Sequence, residues 1–397
     1  MASQSASRPP IPRTIWALGF VSLFTDMGSE MVHGLLPILL TGLGASALTI
    51  GLIEGSAEAL VLVTKVFSGY LSDVIGRRKP LVLLGYGLAT VVKPLFPLAA
   101  SVAMITTARL LDRFGKGIRG APRDALVGDL APQSIRGACF GLQQSMDTVG
   151  AVLGPLIAVA LLWRFANDIR TVLWFAVIPG IIAVLLLLRV REPAETASRS
   201  ARLPLSREGL TRLGAPFWRL ALLGMLIALA RFSEAFLVLR AYERHLPLTF
   251  IPLALVVMSV VYTLTSYPVG RLSDRMSRTT LLALGMLALA AADVALASAE
   301  GYGLLFTGIA LWGLHMGMTQ GILATLVTDV APTEYRATAF GMFNLLSGAG
   351  LLAASALAGW LWDRQGPAMT FWAGALIALV STLCIALFYG NTASARR

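Results

Sequence analysis

Asp26, Glu30 and His33 stand at i, i+4 and i+7 in the stretch FTDMGSEMVHGLLP. That spacing puts all three on one face of a helix. Glu54 and Glu58 repeat the i, i+4 interval, with Lys65 seven residues further on, and Arg231 and Glu234 lie three apart. Each of these groups falls inside a long apolar run. Ionisable side chains in such runs are costly and are functional candidates by default. Three kinds of chemistry suit the set: binding protons, binding a cationic substrate, or pairing with Arg113, Arg231, Lys65 or Lys93 to hold helices together.

The elements that must position these residues are set by composition. Hydrophobic residues make up 56% of the 397 and charged residues 13%, against about 25% charged in soluble domains. A membrane span needs roughly 20 apolar residues. The first half holds such runs at 14–41, 47–71, 79–98, 101–124, 138–163 and 170–190; the second holds them at 217–243, 249–271, 279–297, 302–327, 338–361 and 368–390. The expected fold is an all-α membrane protein of twelve transmembrane helices in two six-helix halves, 1–190 and 217–397, joined by a linker at 191–216.

The net charge of +11 does not point to nucleic acid, because the positive residues flank spans. Arg77, Arg78 and Lys79 follow the second run, Arg136 the fourth, Arg189 to Arg212 cover the linker, and Arg336 follows the tenth. The alternate loops carry few: Arg164, Arg170, Arg244 and Arg364. This asymmetry places both termini and the linker in the cytoplasm. MASQSASRPP has no apolar core, so the first span is the expected insertion signal. Cys139 and Cys384 both fall in spans and imply no disulfide framework. No G-x-x-x-x-G-K-[ST] loop is present, which argues against an ATP-driven pump, and no nucleophile and base stand in a pairing that suggests an enzyme. No cofactor is implied.

The chain also contains itself twice. DLAPQSIRGACFG from Asp129 returns as DVAPTEYRATAFG from Asp329, and Arg136 returns as Arg336, an offset of 336 − 136 = 200. GYLSDVIGRR from Gly69 returns as GRLSDRMSR from Gly270. Two similar halves in a membrane protein mark a transporter in which one half rocks against the other.

Twelve spans, paired halves and the G-x-L-S-D-x-x-G-R-R loop resemble the major facilitator superfamily. The resemblance makes Gly69, Asp73, Gly76, Arg77 and Arg78 a cytoplasmic latch. The second copy keeps Asp274 and Arg275, with Ser277 where the first has Gly76. In TARLLDRFGKGIRGAPRDAL, Arg113 and Gly117 stand at the positions of the family's R-x-x-x-G motif, which implies proton coupling through Arg113. Gly150, Gly154 and Pro155 resemble its antiporter motif, which implies export. The resemblance thus implies proton-coupled efflux of a small organic compound by a monomer in a bacterial inner membrane, with protons and the lipid bilayer as its other partners.

FTDMGSEM and the 112–125 stretch further resemble a bacterial branch that includes nickel-resistance exporters. Asp26, Glu30 and His33 offer ligands for a divalent first-row cation, and Glu-x-x-His can meet one metal from one helix. The chain has only three histidines and no Cys or His cluster, so metal export stands as the alternative, beside import of a small metabolite. Among the remaining charges, Glu54 and Asp293 are expected near outer ends of their spans, Arg119 and Arg123 as anchors near the cytoplasmic surface, Asp147 in the cavity, Lys93 at a kink or snorkelling, Arg240 toward the outer end, and His245 and His315 as structural.

Overall fold

The computed structural model of the chain describes residues 10–192, 205, 207–273 and 276–389. They form α-helices and short 3₁₀ turns, with no strand among the described residues. In the first half these are α1 (Arg13–Gly42), α2 (Ala47–Ile75), α3 (Lys79–Val92), α4 (Leu95–Leu98), α5 (Val102–Leu130), α6 (Arg136–Arg164), α7 (Ile169–Phe175) and α8 (Val177–Arg189). Next comes α9 (Arg207–Arg212), within the stretch expected to be the linker. The second half holds α10 (Gly214–Ala230), α11 (Ala235–Glu243), α12 (Leu253–Leu272), α13 (Arg278–Ala297), α14 (Tyr302–Val330), α15 (Arg336–Gln365) and α16 (Pro367–Tyr389).

Nine helical segments among the described residues are long and apolar enough to cross a membrane. The other long helices, α1, α5 and α14, have 29 or 30 residues, about 45 Å at 1.5 Å per residue. The sequence repeat is also a repeat of boundaries. α5 and α14 span 102–130 and 302–330, and after matching Pro-led 3₁₀ turns Arg136 and Arg336 open α6 and α15. Both arginines therefore begin the following helix, and α5 runs on to Leu130 instead of stopping near 124.

Local chemistry sets the ends. Ser46 and Ser101 accept hydrogen bonds from the amides of Thr49 and Met104 at the starts of α2 and α5, the usual role of an N-cap hydroxyl. Gly76 closes α2 at φ +70°, a left-handed conformation that favours glycine. At the corresponding turn Ser277 has φ −58°, so the second copy needs no glycine there. One run expected to be continuous, 217–243, is interrupted: α10 ends at Ala230, and Arg231 to Glu234 are non-helical before α11. No proline or glycine announces this break. The Ser233 amide instead donates to Ser355 Oγ at 3.1 Å.

The apolar core shows how the halves meet. On the side of the 43–46 loop one cluster joins both halves, from Met31 and Ile50 to Phe236 and Trp312. On the side of the 76–78 motif loop the core is two separate clusters, one around Val82, Tyr86 and Leu126, the other around Phe217, Val327 and Phe343. The halves are thus joined at one face and parted at the motif face. Glycine makes the junction close. Cβ atoms at Gly51 and Gly359 would land on the backbones of Ser355 and Ala47 respectively. Asp363 of α15 seals it, accepting from the amides of Ala47 (3.0 Å) and Leu48 (2.9 Å) at the start of α2.

Candidate functional site: a charged cavity between the halves

A cavity of about 140 Å³ lies where the joined and parted regions meet. Glu30 and His33 of α1, Glu58 of α2, and Arg113 and Lys116 of α5 face it from the first half. Arg231, Phe232, Ser233 and Glu234, all in the break between α10 and α11, face it from the second. The non-helical segment is what turns Arg231 and Glu234, three residues apart, into one wall.

α5 acts as the spine of charge in the first half. Its arginines recur at helical intervals and pair with every neighbour. Arg109 Nη2 donates to Glu54 Oε2 of α2 at 2.6 Å, with both side chains dry. Asp112 Oδ1 lies 3.6 Å from Lys93 Nζ of α3, which also donates to Ser29 Oγ of α1 at 3.1 Å. Arg113 Nε stands 3.5 Å from Glu58 Oε1 without a hydrogen bond. Arg119 lies 3.6 Å from Asp26 and over the Tyr86 ring, 4.5 Å from its centroid. Arg123 donates to Asp147 Oδ2 of α6 at 3.0 Å and to Ser22 Oγ of α1 at 3.1 Å.

Several sequence expectations change here. Glu54 is not at a solvated end: it is fully buried and held by Arg109, a residue the sequence reading did not single out. Its position four residues before Arg113 was the available signal. Arg119 is buried and Arg123 mostly so, each in an ion pair, and neither is a surface anchor. Lys93 is buried and does not snorkel. Asp147 faces Arg123, Gln143 and Ser22's neighbourhood and is not among the cavity-lining residues. Asp293 is fully buried, not at the surface. Arg240 is buried too, its guanidinium donating to the carbonyls of Leu296 and Ala297. His315 is buried with Nδ1 on the Gly285 carbonyl at 2.8 Å, and His245 lies exposed in a turn at φ +58°.

Asp26, Glu30 and His33 share α1 but divide their partners. His33 Nδ1 meets Glu30 Oε2 at 3.2 Å and its Nε2 lies 3.8 Å from Glu54 Oε2, while Asp26 turns to Arg119 outside the cavity. No group of three or more His, Cys, Asp or Glu side chains is gathered to hold a metal among the described residues.

The small-residue motif of α6 explains how α1 is held. A Cβ on Gly150 would strike the Leu23 carbonyl and lie 3.2 Å from Asp26 Cβ. One on Gly154 would strike the Met27 carbonyl and lie 3.1 Å from Glu30 Cβ. Glycine at both positions lets the helices touch by backbone, directly behind the two acids. Pro155 lies inside α6, which continues unbroken to Arg164.

At the motif loop, a Cβ on Gly69 would lie 3.2 Å from Ala121 Cβ. Arg78 pairs with Asp73, donates to Ser72 Oγ at 2.7 Å and lies 3.5 Å from Asp129. Its amide donates to Glu192. The side-chain partners of Arg78 all belong to the first half, and Glu192 to the stretch that follows it. Asp274 and Arg275 lie outside the described residues, but Arg278 pairs with Asp329 as Arg78 does with Asp129, 200 residues earlier.

Two similar helical halves around a central charged cavity are the architecture of a secondary transporter. The sequence model of the Major Facilitator Superfamily matches residues 18–244 and 220–397. An uncharacterized MFS-type transporter of Methanocaldococcus jannaschii is 31% identical over 381 residues, 94% of each chain. The inner membrane transport protein YajR of Escherichia coli is 26% identical over 396 residues, covering 93% of this chain and 81% of its own. A crystal structure of a POT family transporter in complex with a thioalcohol-conjugated peptide superposes with a TM-score of 0.80 over 96% of each chain at 16% identity. The chain belongs to the major facilitator superfamily and is a multi-pass membrane transporter.

Proposed function

We propose that this transporter exports a small organic compound in exchange for protons across a bacterial inner membrane, acting as a monomer. Residues 1–190 and 217–397 are the rocking halves and 191–216 their connection. The arginine-rich motif face, where the apolar core divides between the halves, is the cytoplasmic one by the charge asymmetry of the loops.

The observation that carries the reading is the pair Arg113–Glu58. It is an ion pair without hydrogen-bond geometry, in a cavity lined by both halves. A proton on Glu58 removes the charge that holds Arg113, so protonation and substrate binding compete at one place. This revises the partner expected for Arg113, since Glu30 is engaged with His33 and Asp26 with Arg119. Lys116, Arg231 and Glu234 make no ion pair among the described residues and face the same cavity. They leave charges of both signs, from both halves, for a polar organic substrate. A divalent cation would need Asp26, Glu30 and His33 around one point, and Asp26 faces away. The seating of α1 on Gly150 and Gly154 supports the antiporter likeness, hence export.

The test is growth of a strain stripped of its main efflux systems, challenged with organic toxicants beside nickel, cobalt and zinc salts. Wild type is expected to protect against organic toxicants, with protection lost when a protonophore collapses the gradient. Glu58→Gln is expected to lose that protection while still inserting in the membrane. Protection against the metals alone would replace this reading with metal export.

A further inference from the structure

A second ionisable group lies buried beyond the wall of the central cavity. Asp293 of α13 is fully buried and neither of its carboxylate oxygens has a hydrogen-bond partner. Nor have Trp312 Nε1 and His315 Nε2, both fully buried on α14. Asp293 fits because residue 374 of α16 is glycine: a Cβ there would meet Asp293 Oδ2 at 2.5 Å and Phe232 Cε1 at 3.0 Å. Phe232 also lines the central cavity. Phe232 therefore borders the cavity and also stands beside the carboxyl's niche at Gly374.

The surroundings offer Asp293 no counter-charge. From α11, Arg240 has its guanidinium engaged by the carbonyls of Leu296 and Ala297 and by Glu243, 5.9 Å from the Phe371 ring, and on α13 itself Arg278 pairs with Asp329. From α14, His315 is bound to the Gly285 carbonyl, two turns toward the motif face. α16 brings no acidic or basic side chain. Arg231 and Glu234 face the cavity on the far side of Phe232. An ionised carboxylate in such a place is dry and unpaired, which is costly. A buried ionisable group of this kind in a membrane protein is a functional candidate.

Phe232 joins the two regions from a break in the helix. It lies in the non-helical break between α10 and α11, so its backbone belongs to no helical ladder. Its ring is held by aromatic neighbours, with centroids 5.1 Å from Trp312, 5.4 Å from Phe236 and 5.6 Å from Phe371.

We propose that Asp293 is a second proton-binding site, in the second half of the transporter, reached from the central cavity past the Phe232 ring. The proposal rests on the proton-coupled reading above for its role in transport, but the site itself is tested without substrate. Wild type in proteoliposomes is treated with dicyclohexylcarbodiimide, a lipid-soluble reagent for protonated carboxyls, and adducts are mapped by peptide mass.

The expected result is labelling of Asp293 at neutral pH that falls in alkaline buffer. In Phe232→Ala both the alkaline loss and its reversal on return to neutral buffer become several-fold faster. Gly374→Ala, which crowds the carboxyl, is expected to cut labelling several-fold in protein whose thermal unfolding shows it is folded. Absence of an adduct at every pH overturns the site. Labelling that neither pH nor Phe232→Ala alters also overturns it, leaving Asp293 a permanently neutral packing group. Export that persists in a collapsed gradient would instead sink the antiport reading and leave the labelling result intact.

Discussion

At the scale of residues, the first half is held by charge in places where hydrocarbon would serve. The pair Arg109–Glu54 is the clearest case, with both side chains dry and Glu54 Oε1, Arg109 Nε and Arg109 Nη1 left without partners. Removing one member of a buried pair strands the other charge, which costs about 3–5 kcal/mol. Glu54→Ala is therefore expected to lower the thermal unfolding temperature in detergent sharply, and the double change Glu54→Leu with Arg109→Met to recover most of it. A double variant no better than the single one would contradict this account. The shared faces of Glu30 with His33 and of Glu54 with Glu58 were legible because i, i+3 and i, i+4 intervals survive any choice of helix ends. Glu54 was misjudged although the start of α2 was read correctly, because Arg109 of α5 and the packing of α15 against Gly51 and Gly55 cover that stretch of the helix. Asp293 was misjudged for the same reason: an apolar run shows that a helix spans, not which of its faces is covered.

At the scale of elements, small residues decide which helices approach. α6 lies on α1 through Gly150 and Gly154, so the carboxyls of Asp26 and Glu30 are presented by a helix backed with glycine. Gly154→Leu would drive a side chain into the Met27 carbonyl. Overpacking of this kind costs about 1–3 kcal/mol, and here its displacement falls on Glu30 and the cavity. We expect Gly154→Leu to reach the membrane but to lose export, whereas Gly141→Ala, with nothing near its Cβ, keeps it. Equal export by both would remove the motif from the mechanism. The repeat at an offset of 200 was readable because it preserves turn chemistry, Pro132 with Arg136 and Pro332 with Arg336. The break at Arg231 to Glu234 was not, since tertiary bonding to Ser355 and not a breaker residue opens it.

At the scale of the whole molecule, the face opposite the motif loop is closed by the shared apolar cluster together with a few backbone and polar contacts. α2 and α15 meet there by backbone at Gly51 and Gly359, and Asp363 accepts both amides at the start of α2. The motif loops make the opposite statement. Arg78 and Arg278 are satisfied within their own halves, by Asp73 with Asp129 and by Asp329. Nothing described at that face ties one half to the other through them. A capping carboxylate contributes about 0.5–2 kcal/mol, and 1.4 kcal/mol is a factor of ten in an equilibrium. Asp363→Ala should therefore shift the balance between the two closures by a few-fold to roughly thirtyfold, toward opening at the 43–46 loop. The cavity-lining position Leu351 reports it. In a background lacking Cys139 and Cys384, Leu351→Cys should react with a membrane-impermeant thiol reagent mainly from the motif face. Adding Asp363→Ala, or Gly359→Leu, should raise its reaction from the opposite face. If neither change alters the sidedness of labelling, the seal lies elsewhere, and the Gly51–Ser355 junction becomes the next closure to break.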